Sequence, residues 1–380
     1  MRLGVAAIFK NECDYILEWI AYHQLIGVDR FFIADNVSDD GSSQLLEALD
    51  FLGVINRVYF PRVGETGPQA PAYNYILRQY GGEVDLLCFI DADEFIANTN
   101  GLSLKENLSA FHAMEDAGAL ALNWRNFGSS GHKFKGEGLV IERFKQASRK
   151  DHPANCHIKT ILKPGMVQRM NIHECILESG RYYSPNLEPA VFEKGGACEP
   201  KTREVLYDRI RVNHYVVKSR QEHMLKKESK GSGAGSADRG KGEAYFKAHD
   251  LNDEFDDALT RYTGDVARGV EVLRSQLAME SPYLCFGKAH VNVMPKLIGG
   301  WAVSDLDKPL KVRLLINGKE HLVDVDRERP DLVRKGISGQ LYCGFNFRPG
   351  RDMTVHDKVE AHIYGSSVKA NVIYSPELGS

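Results

Sequence analysis

The sequence predicts an α/β protein in which a mostly parallel sheet is flanked by helices and a small all-β domain follows. Within the first 95 residues, apolar strand-like runs alternate with amphipathic helices, which is typical of a parallel sheet covered on both faces. Residues 86–90 are apolar without interruption, as expected for a strand buried on both sides. Near the C-terminus, Asn317-Gly318 separates two strand-like runs and indicates a β-hairpin.

The individual elements follow from periodicity and from stop signals such as Gly27, which ends the first helix. Strands are predicted over 3–9, 30–34, 54–60 and 85–90, and helices over 14–26, 43–52 and 69–80. Apolar side chains at helical spacing predict one or two helices over 254–277. The strands predicted near the C-terminus cover 311–316, 319–325, 344–347, 358–364 and 368–374.

Changes in composition divide the chain into three predicted segments. Residues 1–228 carry the α/β pattern, and residues 229–281 contain a flexible Gly/Ser-rich run followed by helices. Residues 282–380 have the strand pattern of a β-sandwich-like accessory domain, for which glycan binding, dimer contact and stabilisation are all open. The Gly/Ser-rich run is expected to be either a linker or a loop that closes over an active site.

The composition is that of a globular enzyme. The 380 residues are 43% hydrophobic and 26% charged, and the net charge of −3 argues against a general nucleic-acid binder. Seven cysteines without a C-x-x-C pair favour a reducing compartment, and we expect a cytoplasmic protein. No signal peptide or transmembrane segment is predicted, whereas peripheral membrane association and homo-oligomer formation are open.

The apolar run 86–90 ends in three acids within four positions, Asp91, Asp93 and Glu94. Residues two apart on an extended chain point to the same side, so Asp91 and Asp93 can converge on one ion. Two hard carboxylates at a strand end suit Mg²⁺ or Mn²⁺, with substrate phosphates completing the coordination. The alternative is a strand that ends in a solvated acidic turn.

Two other strand ends are polar in the same way. The first strand leads into Lys10, Asn11 and Glu12, and the second leads into Asp35 and Asn36. Parallel strands place their carboxyl ends on one edge, where open α/β sheets bind ligands. Such loops are often ordinary turn chemistry, but three on the same edge predict a single polar crevice.

Further motifs occur in order along about residues 3 to 225, and together they resemble the family 2-like glycosyltransferases. The similarity is closest to the subgroup around glycosyltransferase family 92. The motifs are Lys10-Asn11-Glu12, Glu18-Trp19-Ile20, Gly27-Val28-Asp29, Asp35-Asn36, Phe89-Ile90-Asp91-Ala92-Asp93-Glu94-Phe95, Asn123-Trp124-Arg125, Glu142-Arg143-Phe144, Lys159-Thr160-Ile161 and Asn213-His214-Tyr215. The resemblance implies a GT-A fold, a nucleotide-sugar donor, Mn²⁺ or Mg²⁺, and inversion at the anomeric carbon.

The resemblance also implies roles for individual residues. Asp91 and Asp93 would bind the metal, and a histidine late in the domain would complete its coordination. His214 fits that order better than His173. The residues implied for donor binding are Lys10, Asn11, Glu12, Asp35, Asn36, Gln69 and Asp91.

The catalytic base is expected among the acids that follow Asp93, which itself acts in catalysis through the metal. The candidates are Glu142, Asp151 and Glu174. We choose Glu174 because it follows a strand-like segment and neighbours His173.

The predicted function is a metal-dependent, inverting transfer of hexose from UDP-galactose or UDP-glucose to a glycan hydroxyl. A catalytically silent glycan-binding or scaffold subunit of a polysaccharide assembly system is the main alternative, although such a subunit would not need both Asp91 and Asp93. A nucleotidyltransferase is a second alternative. It would require a Gly-rich basic loop after the first strand, where this chain has Lys10-Asn11-Glu12.

Overall fold

The structure is a computed structural model that describes residues 1–64, 66–193, 200–229, 242–280, 287–304, 309–364, 368 and 370–378. The chain divides into two compact units. One comprises Met1–Ser38 and Leu49–Ser275, and the other comprises Asp39–Ala48 and Gln276–Ser380. The predicted division at residues 228 and 281 stays a prediction, since 230–241 and 281–286 lie outside the described residues.

The first unit contains a mixed, mostly parallel sheet. Its strands and those of its small two-stranded sheets are β1 (Leu3–Phe9), β2 (Arg30–Asp35), β3 (Asn56–Tyr59), β4 (Leu86–Phe89), β5 (Glu94–Asn98), β6 (Ala117–Asn126), β7 (Gln146–Ala147), β8 (Ile158–Leu162), β9 (Val167–Met170), β10 (Cys175–Leu177), β11 (Arg181–Tyr183), β12 (Ile210–His214) and β13 (Glu254–Phe255). In the described part of the chain the large sheet has the order β3-β2-β1-β4-β8-β6-β12-β5, with β11 beside β6.

The parallel half of this sheet places the polar strand ends together, as predicted. β2 and β4 both run parallel to β1, and Phe9 at the end of β1 is in register with Asp35. The opposite half supplies a second contribution, because β12 pairs antiparallel with β5 and sets His214 opposite Glu94. The topology therefore brings the late His214 to the acidic end of β4.

Helices of the first unit cover both faces of the parallel strands. Up to residue 280 the helices are α1 (Ile16–Leu25), α2 (Ser42–Phe51), α3 (Gln69–Tyr80), α4 (Leu104–Ala113), α5 (Val140–Arg143), α6 (Arg220–Ser229), α7 (Glu243–His249) and α8 (Thr263–Glu280). The neighbouring residues Phe31 and Phe32 point to opposite faces of β2. Phe31 lies 5.9 Å from the Trp19 ring of α1, whereas Phe32 packs in the core that Tyr73 of α3 shares.

The predicted helices over 14–26, 43–52 and 69–80 are confirmed with small shifts at their ends. The prediction over 254–277 was wrong in its first part. Glu254–Phe255 forms β13 and pairs with β7, and the helix begins only at Thr263. The physical reason is that tertiary strand pairing overrode a periodicity that is weak in such a short segment.

The second unit contains the predicted β-domain. It consists of β14 (Gly287–Met294), β15 (Leu297–Ser304), β16 (Lys311–Ile316), β17 (Lys319–Asp324), β18 (Arg327–Glu328), α9 (Pro330–Arg334), β19 (Tyr342–Phe347), β20 (Val359–Ile363) and β21 (Asn371–Tyr374). The described residues form a five-stranded and a three-stranded sheet, and side chains of both sheets share one apolar core. Asn317 and Gly318 adopt φ of 50° and 82° between β16 and β17, so the predicted hairpin is confirmed.

The fold class predicted from the sequence is thus confirmed, both in its helix-flanked, mostly parallel sheet and in its C-terminal all-β domain. The sequence prediction missed β14, β15, β18 and α9 in the second unit, and in the first unit it gave no bounds for the strands and helices between β4 and β13. β15 contains Gly299 and Gly300, and glycine is depleted in strands, so local preference did not indicate a strand there. No helix in the described part of the chain is long and apolar enough to cross a membrane.

Candidate active site

The candidate site lies where β1, β2 and β4 end. The two loops that follow β1 and β2 have unusual backbone conformations, with φ of 53° at Asn11 and 49° at Val37. A β-branched residue rarely adopts a positive φ, and such strain is concentrated at functional sites. The Asn11 N–H donates to Ser38 Oγ at 3.0 Å, which links the two loops.

Asp91 is held by hydrogen bonds from three side chains. Its Oδ1 accepts hydrogen bonds from Gln69 Nε2 at 2.7 Å and from the Tyr73 hydroxyl at 3.0 Å. Its Oδ2 accepts from Lys159 Nζ at 2.8 Å. Because Gln69 and Tyr73 lie one turn apart on α3, that helix presents both donors to the end of β4. Both carboxylate oxygens of Asp91 are therefore bound by side chains of the chain itself.

Lys159 joins the partly exposed Asp91 to a fully buried acid, Glu94. The Glu94 side chain has no exposed surface and lies 3.4 Å from Lys159 Nζ, while its Oε2 accepts the Asp91 N–H at 2.8 Å. Burial raises the pKa of Glu94 to about 8, although Lys159 opposes this effect. Burial is also the largest single effect on Asp91, but the charge and the hydrogen bond of Lys159, together with His173, outweigh burial and lower the pKa of Asp91. Lys159 thus keeps Asp91 ionised.

Asp93 faces the candidate metal-binding histidine. His214 Nε2 lies 3.8 Å from Asp93 Oδ1, and His214 Nδ1 lies 3.0 Å from Asn126 Oδ1. Asn126 Nδ2 donates to Asn155 at 3.0 Å, so the Asn126 oxygen is the acceptor and His214 Nδ1 carries the proton. Burial lowers the pKa of His214 to about 3. The ring is therefore neutral, and the lone pair of Nε2 is directed to the Asp93 side.

A lysine from α6 also reaches Asp93. Lys226 Nζ lies 2.7 Å from Asp93 Oδ2 and 3.4 Å from Glu12 Oε1. Burial is the largest single effect on Asp93 and acts to raise its pKa, but Lys226, His214 and Lys218 together outweigh burial and hold the pKa well below its usual range. The positive charge closest to Asp93 in this structure therefore belongs to a protein side chain, that of Lys226.

The two residues predicted at the end of β2 differ in their surroundings. Asp35 is fully buried, and its Oδ2 accepts from Arg57 Nε and Nη2 at 3.0 and 2.8 Å. That ion pair accounts for the burial of Asp35 without a ligand. Asn36 is 9% exposed, and its Oδ1 has no hydrogen-bond partner among the described residues. A buried acceptor without a donor is rare and suits a site completed by a ligand.

The remaining predicted residues are less closely connected to this centre. Lys10 is half-buried at the end of β1. Glu174 lies in the turn between β9 and β10, where its Oε1 accepts from Asn171 Nδ2 at 3.1 Å. Its neighbour His173 packs against the Trp124 ring at a centroid distance of 5.3 Å, and the His214 ring lies 4.3 Å from the same Trp124 ring. The roles assigned to Lys10, Glu174 and His173 stay predictions.

Sequence reasoning assigned no role to several residues that build this site. Lys159 occurs inside the apolar strand β8, and a lysine in a strand with all its residues buried is a signal for a paired acid. Tyr73 and Asn126 gave no such signal, because their function depends on which side chain the fold places beside them.

The donor set fits a hard divalent cation. Asp93 and His214 present an oxygen and a neutral imidazole nitrogen to the same space, and this tautomer is set by Asn126. No cluster of three or more His, Cys, Asp or Glu ligands occurs among the described residues. In this structure Asp93 and His214 are the two groups that face one another, Asp91 is the further ligand predicted from the sequence, and phosphate oxygens of a substrate would complete the coordination, as is usual for Mg²⁺ and Mn²⁺ sites.

Residues 4–193 match the family model described as glycosyltransferase family 92. The chain belongs to this family. A glycosyltransferase family 92 protein of Oryza sativa subsp. japonica is 30% identical over 128 residues, which are 33% of this chain and 21% of that protein. The match to a family 92 protein of Ricinus communis is 30% identical over 134 residues and covers 35% of this chain and 24% of the relative. This family 92 chain therefore matches about a quarter or less of each of these relatives.

Two solved structures have similarity to the family 92 chain at low identity. Staphylococcus aureus TarS 1–349 in complex with UDP-GlcNAc has a TM-score of 0.28 and 17% identity, with 44% of this chain and 46% of that chain covered. Glucosyl-3-phosphoglycerate synthase from Mycobacterium tuberculosis, in complex with Mn²⁺, UDP and glucosyl-3-phosphoglycerate, has a TM-score of 0.26 and 13% identity, with coverages of 44% and 58%. The predicted family resemblance is confirmed by the family match.

Proposed function

We propose that this chain transfers a hexose from a UDP-sugar, UDP-galactose or UDP-glucose, to a glycan hydroxyl with inversion, and that it uses Mn²⁺ or Mg²⁺. The observation that carries the proposal is the pair of acids at the end of β4 in a family 92 domain. Asp93 faces a neutral His214 whose tautomer is set, and Asp91 is kept ionised by Lys159. This arrangement supports a metal site beside a nucleotide diphosphate.

In this proposal Asp93 and His214 hold the cation, which when bound neutralises charge on the diphosphate leaving group. The hydrogen bonds from Gln69, Tyr73 and Lys159 orient Asp91 toward the metal and donor, so its predicted roles as ligand and donor contact are kept. Trp19 of α1 supports the turn from Asp91 to Glu94, because its Nε1 donates to Glu94 O at 2.9 Å.

The donor nucleoside is placed at the ends of β1 and β2. Asn36 Oδ1 is a buried acceptor that the described residues leave unsatisfied, and the N–H of uracil is a donor of the required kind. The loop of Lys10, Asn11 and Glu12 lies beside it through the link between Asn11 and Ser38. In this proposal Asn36 and the loop of Lys10, Asn11 and Glu12 bind the nucleoside of the donor.

Glu174 is the proposed base that accepts the proton of the acceptor hydroxyl. Its neighbour His173 packs on Trp124, and Trp124 also packs on His214, so a short chain of ring contacts leads from the metal site toward Glu174. The flat indole ring is a suitable surface for an acceptor sugar. Glu174→Gln should lower the rate of transfer and leave UDP binding unchanged, because the proton acceptor does not contact the donor in this scheme.

The experiment that tests the function is a panel of nucleotide sugars. Each sugar is tested for thermal stabilisation of the full chain and for hydrolysis, with Mn²⁺ and with a chelator. We expect stabilisation and slow hydrolysis with one UDP-hexose, and loss of hydrolysis with the chelator. Turnover that is unchanged by the chelator would contradict the metal, and failure of every nucleotide sugar to bind would contradict the donor class.

One observation favours the second candidate, a catalytically silent glycan-binding or scaffold subunit. Lys226 and Lys159 already neutralise Asp93 and Asp91, which would also stabilise a site that never binds metal. The two candidates differ in metal binding. Titration of Mn²⁺ followed by electron paramagnetic resonance should detect one bound ion in the enzyme and none in a silent subunit.

The preference for His214 over His173 is tested by the same titration. His214→Ala should weaken Mn²⁺ binding by at least about 10-fold, since removing even a group that only supports a metal ligand typically costs that much, while His173→Ala should have a smaller effect. Circular dichroism spectra of both variants serve as the control for folding. Equal weakening by both substitutions, or a larger effect at His173, would contradict the preference.

A further inference from the structure

A second lysine near the acids is buried without a hydrogen-bond partner. Lys218 lies in the turn that connects β12, which carries His214, to α6, which carries Lys226. The residue is 3% exposed, and its Nζ has no hydrogen-bond partner among the described residues. An ammonium group has three N–H donors, and to bury it without an acceptor is costly.

The surroundings of Lys218 are those of an anion-binding group next to the metal site. Its Nζ lies 4.2 Å from the centroid of the Tyr15 ring, which attracts the cation but accepts no conventional hydrogen bond. Burial and the charge of Lys226 lower the pKa of Lys218, while Asp93 and Glu12 are among the acids that oppose the shift. These acids are therefore near, yet neither forms a hydrogen bond with Lys218 Nζ in the described structure.

The backbone at Lys218 indicates that this position is imposed by the fold. Lys218 has a φ of 53°, a conformation that is unfavourable for a residue with a long side chain. The turn that follows is held by Glu222. Its carboxylate accepts a hydrogen bond from the Ser219 N–H at 3.1 Å and hydrogen bonds from both terminal nitrogens of Arg143. The network fixes the turn that directs a lysine side chain into the interior beside the candidate site.

We propose that Lys218 binds the diphosphate of the nucleotide donor. This inference rests on the proposed function. A diphosphate bound beside Asp93 would supply the acceptor oxygens that Lys218 Nζ lacks, and two lysines with a divalent cation would balance its charge. In transfer, the bond between the anomeric carbon and the diphosphate oxygen breaks, and the electron pair stays on that oxygen. The acceptor oxygen forms the new bond to carbon and releases its proton to the base, while Lys218 donates to the departing diphosphate.

The test compares UDP with uridine, which lacks the diphosphate. Lys218→Met should weaken UDP binding about 10- to 100-fold, as expected for loss of a charge-assisted hydrogen bond, and should leave uridine binding unchanged. The melting temperature should stay the same or rise, because the variant removes a buried cation without a partner. Lys218→Arg keeps the charge and should retain more UDP affinity than Lys218→Met. The matched control is Lys105→Met, since Lys105 pairs with Asp29 at 2.6 Å and has no role in the site.

The outcomes separate this inference from the proposed function. If Lys218→Met binds UDP as tightly as the unmodified chain does, the inference is wrong and the UDP-sugar donor stands. If the melting temperature falls and the affinities for UDP and uridine fall together, Lys218 has a structural role and the inference is again wrong. If the unmodified chain binds no UDP at all, the donor class itself fails. Should Lys218→Met not fold, Lys218→Arg and Lys218→Gln are used in its place. UDP affinity of Lys218→Arg equal to that of the unmodified chain, with a loss of UDP selectivity over uridine in Lys218→Gln, would support the inference. Unchanged selectivity in Lys218→Gln would contradict it.

Discussion

Asp93→Asn is expected to lower sugar transfer at least about 1,000-fold, because it removes the carboxylate that would hold the divalent cation beside the diphosphate leaving group. Asp93 lies 3.8 Å from His214 Nε2, and the other carboxylate oxygen contacts Lys226. The amide is nearly isosteric with the carboxylate, so folding should be preserved. The measurements are the initial rate of transfer at saturating Mn²⁺ and the far-UV circular dichroism spectrum.

The structure predicts that Asp91→Asn and Asp93→Asn differ in their effect on stability. Asp91→Asn should also abolish transfer, but it leaves Lys159, a fully buried lysine, with Glu94 as its remaining acid at 3.4 Å. We therefore expect an additional loss of about 2 kcal/mol in the free energy of unfolding for Asp91→Asn. Asp208→Asn, at an exposed acid, is the matched control. Full transfer activity of Asp93→Asn at saturating Mn²⁺ would refute the assignment of the site.

Glu222→Gln is expected to lower the free energy of unfolding by about 3 kcal/mol near neutral pH, since it leaves the buried Arg143 without a charged partner. Glu222 is 4% exposed and accepts from Arg143 Nη1 and Nη2 at 2.9 and 2.8 Å. The Tyr15 hydroxyl donates to the same carboxylate at 2.8 Å. Burial is the largest single effect on Glu222 and acts to raise its pKa, but the hydrogen bonds and charge of Arg143, together with Ser219 and Lys218, outweigh burial and lower that pKa to about 2.

The pH dependence follows from this lowered pKa. The ordinary value is 4.5, so the stabilisation is complete above about pH 4.5 and is lost as the pH falls toward 2. Urea unfolding at several pH values should show a difference between the unmodified chain and Glu222→Gln that shrinks over this range. Glu115→Gln, at an exposed acid, should show no such difference. A difference that stays constant down to pH 2 would contradict the charged pair as its source.

The ion pair between Arg143 and Glu222 also helps to position a residue of the candidate site. Arg143 belongs to α5 and Glu222 to α6, and α6 carries Lys226 to within 2.7 Å of Asp93. The match to the family model ends at residue 193, so α6 lies outside it. The group that neutralises Asp93 therefore comes from a segment that the family comparison does not cover.

The sequence by itself determined the α/β class and the place of the acids. Both features are local patterns of the sequence. A strand buried on both faces requires a continuous apolar run, such as the one that ends at Asp91 and Asp93, and the alternation of strands and helices appears as a change in the short period of the apolar residues. The same holds for the hairpin at Asn317-Gly318, where two successive positive φ angles select the residues.

Only the tertiary structure decided which groups meet at these acids. Lys159 lies 68 positions from Asp91 and Lys226 lies 133 positions from Asp93, and Asn126 lies 88 positions from His214, the ring that it orients. No local preference encodes such pairings, since the energy of a buried ion pair or hydrogen bond depends on distance and burial in the folded state. His214 shows the same dependence: its motif indicated a ligand, whereas its neutral tautomer follows from Asn126 and from burial that the pairing of β12 with β5 creates.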